Sequence, residues 1–246
     1  MIPLHDDNPT STLPLVTVGL IVACTLVWLW QCAQPPGEQE RAVYALGVIP
    51  AVLLGERGLP ADLAWTPPIL TLVSSMFLHG GWMHLIGNML YLWIFGNNVE
   101  DAMGHARFLL FYVVCGVAAA LAQTASDPAS VVPMVGASGA IGGVLGAYLV
   151  LHPQARVLVL LPLGVFTRLF YVPAFIVLGL WFVLQIVSAP LRQDGGGVAH
   201  WAHVGGFVAG AALIFVFRRR GVTLLDRDRP RHVPRFAAQR RRGPWG

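Results

Sequence analysis

The chain has 246 residues, 56% of them hydrophobic and only 11% charged, with a mean hydropathy of +0.65. That composition excludes an ordinary soluble globular domain and makes the bilayer the main solvent. All 16 basic residues are arginine and ten of them lie between Arg218 and Arg242, so the net charge of +4 belongs mostly to one tail; directly after a last apolar run, this reads as an orientation signal and not as nucleic-acid binding.

In chain order, the opening MIPLHDDNPTSTLPL has neither the positive region nor the cleavage signature of a secretory leader, so the first apolar run is expected to be kept as a span. A spanning helix needs about 20 apolar residues. Six segments are candidates: Leu13 to Cys32, Trp82 to Asn97, Phe108 to Ala125, Ser138 to Leu151, Phe170 to Ser188 and Val198 to Phe217. The long first connection, Ala33 to Gly81, has charged residues on both sides of the apolar stretch Ala45 to Leu54, the pattern of a segment lying in the membrane interface. The expected fold class is therefore all-α: a polytopic six-helix bundle over residues 1–217, followed by an Arg-rich, disordered cytoplasmic tail over 218–246.

With six spans the termini share a side, and arginines divide thirteen to three in favour of that side, with only Arg41, Arg57 and Arg192 opposite. The bias puts both termini in the cytoplasm. The fourth segment is too short: its 14 residues cover roughly 20 Å of a hydrocarbon core about 30 Å thick. Pro128 to Ala137 must then enter the bilayer as non-helical backbone, which is tolerated only against protein or water, so a polar cavity is expected above Ser138.

Three polar elements break the apolar spans. Gly136-Ala137-Ser138-Gly139 opens the short span, and on its own is more simply a small-residue packing surface with Gly142, Gly143 and Gly146. His200-Trp201-Ala202-His203-Val204-Gly205-Gly206, with Gly210 beyond, puts an ionisable ring inside the sixth span, where such groups are rare and functional. His84 and Asn88 sit at i and i+4 on one face of the second span, and His79 before them reads as a residue that ties down the loop. Spans two, four and six run in the same direction, so the three elements reach a common depth.

Together these groups supply a nucleophile, a base and oxyanion donors, the requirements of peptide hydrolysis. Ser138 attacks, His203 accepts and returns the proton, and the backbone N–H of Ser138 with Asn88 and His84 holds the oxyanion. No carboxylate is suitably placed, since Glu100 and Asp101 fall at the far end of span two, so a dyad is expected. No cofactor or metal is required.

FLHGGWMHLIGNM, GASGAIGG and AHVGGFVAG, in that order on spans two, four and six, resemble the rhomboid intramembrane protease family. The resemblance implies a rhomboid-like bundle, a partly embedded first loop, Ser138 and His203 as the catalytic pair, Asn88 and His84 as oxyanion contributors, and Gly136, Gly139, Gly206 and Gly210 as supporting positions. It also implies a water-accessible site open to the extracytoplasmic side of a prokaryotic cell membrane and single-pass membrane proteins as substrates. The sequence departs from the family in one respect: a Trp-Arg pair common in the first loop is replaced by Ile69-Leu70-Thr71-Leu72. His200 matches no catalytic position. The competing classes are a His-lined metal or proton transporter, which lacks an inverted repeat or carboxylate companion, and a non-catalytic membrane chaperone on the same fold.

Overall fold

The computed structural model describes residues 1–163, 166–189 and 198–225. Its elements are β1 (Ile2–Asp6), α1 (Leu15–Cys32), α2 (Glu38–Leu46), α3 (Pro50–Leu53), α4 (Pro68–Ser74), α5 (Trp82–Met103), α6 (His105–Ser126), α7 (Ser138–Leu151), β2 (Arg156–Leu163), β3 (Phe166–Pro173), α8 (Ala174–Ser188) and α9 (His200–Phe217). The six apolar segments correspond to α1, α5, α6, α7, α8 and α9. The stretch expected at the interface folds as α2 and α3, the latter opened by Pro50 in the first turn, where a missing N–H costs nothing.

By length and composition, α1, α6 and α9 can cross a bilayer, while α7 and α8 are apolar but shorter. Large apolar side chains stay exposed along outward faces, among them Val18, Val22, Leu26 and Leu29 on α1, Leu180, Val183, Leu184 and Val187 on α8, and Val208, Phe215 and Val216 on α9. A soluble monomer does not leave so much apolar surface bare; hydrocarbon is the matching solvent.

The buried centre is α7. Every residue from Gly139 to Tyr148 is buried, as is Leu151. Its neighbours come so close because they meet backbone to backbone: a Cβ at Gly206 would strike the Gly139 carbonyl, one at Gly210 the Gly143 carbonyl, and one at Gly146 the Phe207 carbonyl. Gly206 and Gly210 thus form one face of α9 that admits α7, in the manner of small-residue packing between membrane helices.

The fold is mostly helical, and not all-α as expected. β2 and β3 form an antiparallel hairpin with Arg156 opposite Pro173 and Leu163 opposite Phe166, and β1 adds antiparallel to the free edge of β2. The register shifts between Pro3 and His5, where proline has no N–H to give the ladder. Val157 and Val159 are buried and their alternate neighbours are not, the two-residue period of a strand with one covered face. The expected fifth span therefore loses its first residues to β3.

The described chain also continues past α9. Arg219 N–H donates to Ala102 O at 2.8 Å and Leu225 N–H to Val150 O at 2.9 Å, so residues 218–225 return to the ends of α5 and α7. The rest of the expected tail, 226–246, and Arg192 lie outside the described residues.

At this same end α5 supplies a cap for α1. Glu100, fully buried, accepts from Val16 N–H and Thr17 N–H, each at 2.8 Å, and from Thr17 Oγ1 at 2.6 Å. These are first-turn amides that the helix itself cannot satisfy, and a carboxylate beside them also suits the helix dipole.

Candidate active site

Ser138 begins α7, and the backbone before it is irregular from Asp127 to Ala137. This stretch is pinned at three points: Ala51 N–H donates to Ser130 O at 3.0 Å, Val48 and Met134 exchange backbone hydrogen bonds of 3.0 and 2.8 Å, and Gly136 N–H donates to Ser75 O at 2.8 Å. The first-loop helices thus hold the serine's approach segment in place. Gly136 has φ of +126°, and a Cβ there would sit 2.7 Å from Cε1 and Nε2 of His84, so both conformation and space call for glycine.

The Ser138 hydroxyl and Nε2 of His203 are 2.8 Å apart. His203 is on the first turn of α9, only 8% exposed. The approach of the two helices sets that distance: a Cβ at Gly142, one turn after the serine, would meet His203 O at 3.0 Å, and at Gly139 it would meet Ala119 Cβ of α6 at 2.6 Å. From α6, Gln123 Oε1 accepts from Ala202 N–H at 3.2 Å, one of the free amides at the start of α9.

Asn88 is 7% exposed on α5, and its buried Nδ2 has no hydrogen-bond partner among the described residues. That nitrogen points past Gly136, whose Cβ would lie 3.7 Å from it. An orphaned buried donor beside a nucleophile is costly unless something else is to be bound there. His84, one turn earlier, accepts from Gly80 N–H through Nδ1 at 3.3 Å, which leaves its ring hydrogen on Nε2, the nitrogen nearest Gly136. His79 packs edge-on against His84 at 5.2 Å; its backbone exchanges hydrogen bonds with the Gln31 side chain of α1, in keeping with a loop-fixing residue.

A cavity of about 960 Å³ lies over these groups, lined by Ser138, His203, Asn88, His84, His200 and Trp181 among others. Every site residue singled out in the sequence therefore borders the cavity or holds the helices beside it. Among the described residues, no three of His, Cys, Asp and Glu converge as a metal would require.

Sequence reasoning missed Gln185 on α8. Its Oε1 is 2.8 Å from Nδ1 of His203 and 2.8 Å from Nδ1 of His200. Its Nε2 donates back to Trp181 O at 3.5 Å, and the Trp181 ring lies 5.6 Å from that of His203. The available signal was a single amide within an otherwise apolar span, since polar groups at membrane depth turn toward polar partners. The departure at Ile69 to Leu72 falls in α4, where Ile69 and Leu70 are exposed and Thr71 and Leu72 buried.

Residues 66–220 match the family model described as the Rhomboid domain. The chain is 35% identical over 142 residues to "Rhomboid protease GluP" of Bacillus subtilis, covering 58% of this chain and 25% of that protein. It is 31% identical over 150 residues to "Rhomboid protein 1, mitochondrial" of Saccharomyces cerevisiae, covering 57% and 40% respectively. The aligned part is thus less than half of either relative. Since the family model runs unbroken from the residues just before α4 to those just after α9, more than half of the chain and all of the cavity lining except Pro50, the chain belongs to the rhomboid family.

Proposed function

We propose that the chain is an intramembrane serine endopeptidase that cleaves membrane segments of single-pass proteins with Ser138 as nucleophile and His203 as general base. The observation that carries this reading is the 2.8 Å approach of hydroxyl to imidazole in a cavity that also holds the unpartnered amide donor of Asn88. Ser138 Oγ–H donates to Nε2; as Oγ bonds to the scissile carbonyl carbon, its proton passes to Nε2. The oxyanion takes hydrogen bonds from the Ser138 N–H, Asn88 Nδ2 and His84 Nε2–H, aided by the positive end of α7. His203 returns the proton to the leaving amine, and the C–N bond breaks. Water then attacks the acyl ester, giving its proton to His203, and Ser138 is regenerated as the acid product leaves.

Such chemistry needs an unwound strand, because a helical peptide bond is screened by its neighbours and its own hydrogen bonds; a substrate helix must open locally at the cavity. In this reading α1, α5, α6, α7, α8 and α9 are the six spans, α7 crossing with the help of the irregular segment before it. Residues 1–217 form the membrane domain, the arginine-rich end after it is a cytoplasmic tail, both termini are cytoplasmic, and the cavity opens to the extracytoplasmic side of a prokaryotic cell membrane. The bilayer and single-pass membrane proteins are its partners, with no cofactor.

Purified protein in detergent, incubated with a model single-span substrate, tests the reading. Ser138→Ala and His203→Ala are each expected to lose at least about 10³-fold in cleavage rate, while both variants still insert and a fluorophosphonate labels wild type but not Ser138→Ala. Cleavage that survives either substitution rules out this nucleophile or this base; a role unchanged in Ser138→Ala would favour a client-binding protein.

A further inference from the structure

We propose that Gln185 is the positioning residue of this site: its amide oxygen fixes the tautomer and ring plane of His203, the task a carboxylate performs in three-residue serine hydrolases. This rests on the roles proposed above for Ser138 and His203.

A neutral imidazole has one donor and one acceptor nitrogen. His203 can take the serine proton on Nε2 only if Nδ1 carries the ring hydrogen, and Nδ1 has Gln185 Oε1 at 2.8 Å. An amide oxygen accepts and cannot donate, so the contact is a hydrogen bond in the useful tautomer and a clash of lone pairs in the other. The amide orientation follows from its surroundings. With Oε1 inward, two lone pairs meet two N–H groups, those of His203 and of His200, while Nε2 donates to Trp181 O. Turned over, the NH2 would face both rings and force both to accept at Nδ1, leaving His203 Nε2 protonated against the serine.

Gln185 is one turn after Trp181, so one face of α8 supplies both contacts to the ring: the acceptor at its edge and the indole against its side, tilted 35°. The choice of an amide has a physical reason. Flanking residues Val183, Leu184, Ile186 and Val187 are exposed apolar groups on a lipid-facing helix, where an ionised carboxylate would be expensive to desolvate. A neutral oxygen orients the ring without that cost.

The test uses the full chain in detergent with the single-span substrate. Gln185→Met keeps length and volume but removes the acceptor; kcat should fall about 10- to 100-fold, the worth of a hydrogen bond to a group that becomes charged, with KM unchanged and the thermal midpoint lowered by a few degrees as two ring N–H groups lose their acceptor. Gln185→Glu, which retains an oxygen acceptor at the cost of burying a charge, should restore part of the loss. Nitrogen-15 NMR of histidine-labelled protein should show His203 protonated at Nδ1 in wild type and distributed over both nitrogens in Gln185→Met. Wild-type kcat in Gln185→Met, or equal losses in the Met and Glu variants, overturns the proposal. If the Met variant does not fold, the wild-type spectrum decides, and protonation at Nε2 refutes it. Ser138→Ala runs alongside: cleavage by that variant sinks the protease reading itself, whereas an inert Ser138→Ala beside an unaffected Gln185→Met sinks only the role of Gln185.

Discussion

The two ends of α7 bury polar groups for opposite purposes. At its start, Ser138, His203, His84 and Asn88 border a cavity, and one strong donor, Asn88 Nδ2, is left without a partner among the described residues. Near its other end, Tyr148 donates to Asp6 Oδ2 at 2.6 Å, Asn98 Nδ2 reaches the same oxygen at 3.3 Å, and Glu100 and Asp101 gather amides and hydroxyls of Ser11, Thr12, Val16 and Thr17. Burying polar atoms costs free energy at both ends. The closed network recovers most of that cost within the folded chain, with the Asn98 Oδ1 acceptor left over, and fastens the N-terminal segment; the open end holds its donor for something that arrives later. Between them, the glycine contact of α7 with α9 keeps the open end in register.

Breaking that contact should have the largest effect. Gly210→Leu must push its side chain into the Gly143 backbone, which no rotamer relieves. A loss of about 3–5 kcal/mol or more is expected, seen as protein that fails to accumulate folded or melts far below wild type. Gly179→Ala on α8, where a Cβ meets nothing within 4 Å, is the control and should leave the midpoint unchanged. Next comes the open end. Asn88→Ala should lower kcat by about 10²- to 10³-fold, the usual worth of one oxyanion donor, without lowering the thermal midpoint, since the group removed has no partner to lose. A fall in midpoint equal to the fall in rate would show that Asn88 belongs to the fold and not to the reaction, and the contrast between the two ends would fail.

The sequence reveals these two ends unequally. The boundaries of α7 are legible because small residues and a run too short to span define it, and the i, i+4 pairing of His84 with Asn88 needs only helical periodicity. The sheet is hidden: Val157 to Leu161 is an apolar run that periodicity alone does not separate from the edge of a span, and β1 finds its partner more than 150 residues away. Glu100 and Asp101 read as charges at a membrane boundary, and nothing local says that they cap α1 and hold Ser11 and Thr12. Gln185 is similar, a lone amide whose two imidazole partners lie on another helix. Pairings made by one side chain across a long separation are a property of the fold, and composition does not encode them.

The closed end should respond to pH, and more weakly than the open end responds to mutation. Burial pushes the Asp6 carboxyl up from its usual 3.8 to about 6, against the opposing hydrogen bond from Tyr148 and the nearby His5; Asp7 adds to the rise. A carboxyl with a raised folded-state value binds its proton more tightly when β1 is docked. Docking is then strongest below about pH 4, weakens as pH climbs to about 6, and stays level above it, a span of about 2–3 kcal/mol. Asp6→Asn keeps an oxygen for Tyr148 and has no charge to bury, so it should flatten the profile and protect the β1 and β2 amides from hydrogen exchange more strongly at pH 7 than wild type does. Cleavage by the variant should be unchanged, because Ser138 and Tyr148 lie ten residues apart on α7, roughly 15 Å along its axis. A change in kcat would instead mean that the rigid, glycine-packed α7 carries the state of the N-terminal strand to the cavity, and the two ends would have to be treated as one system.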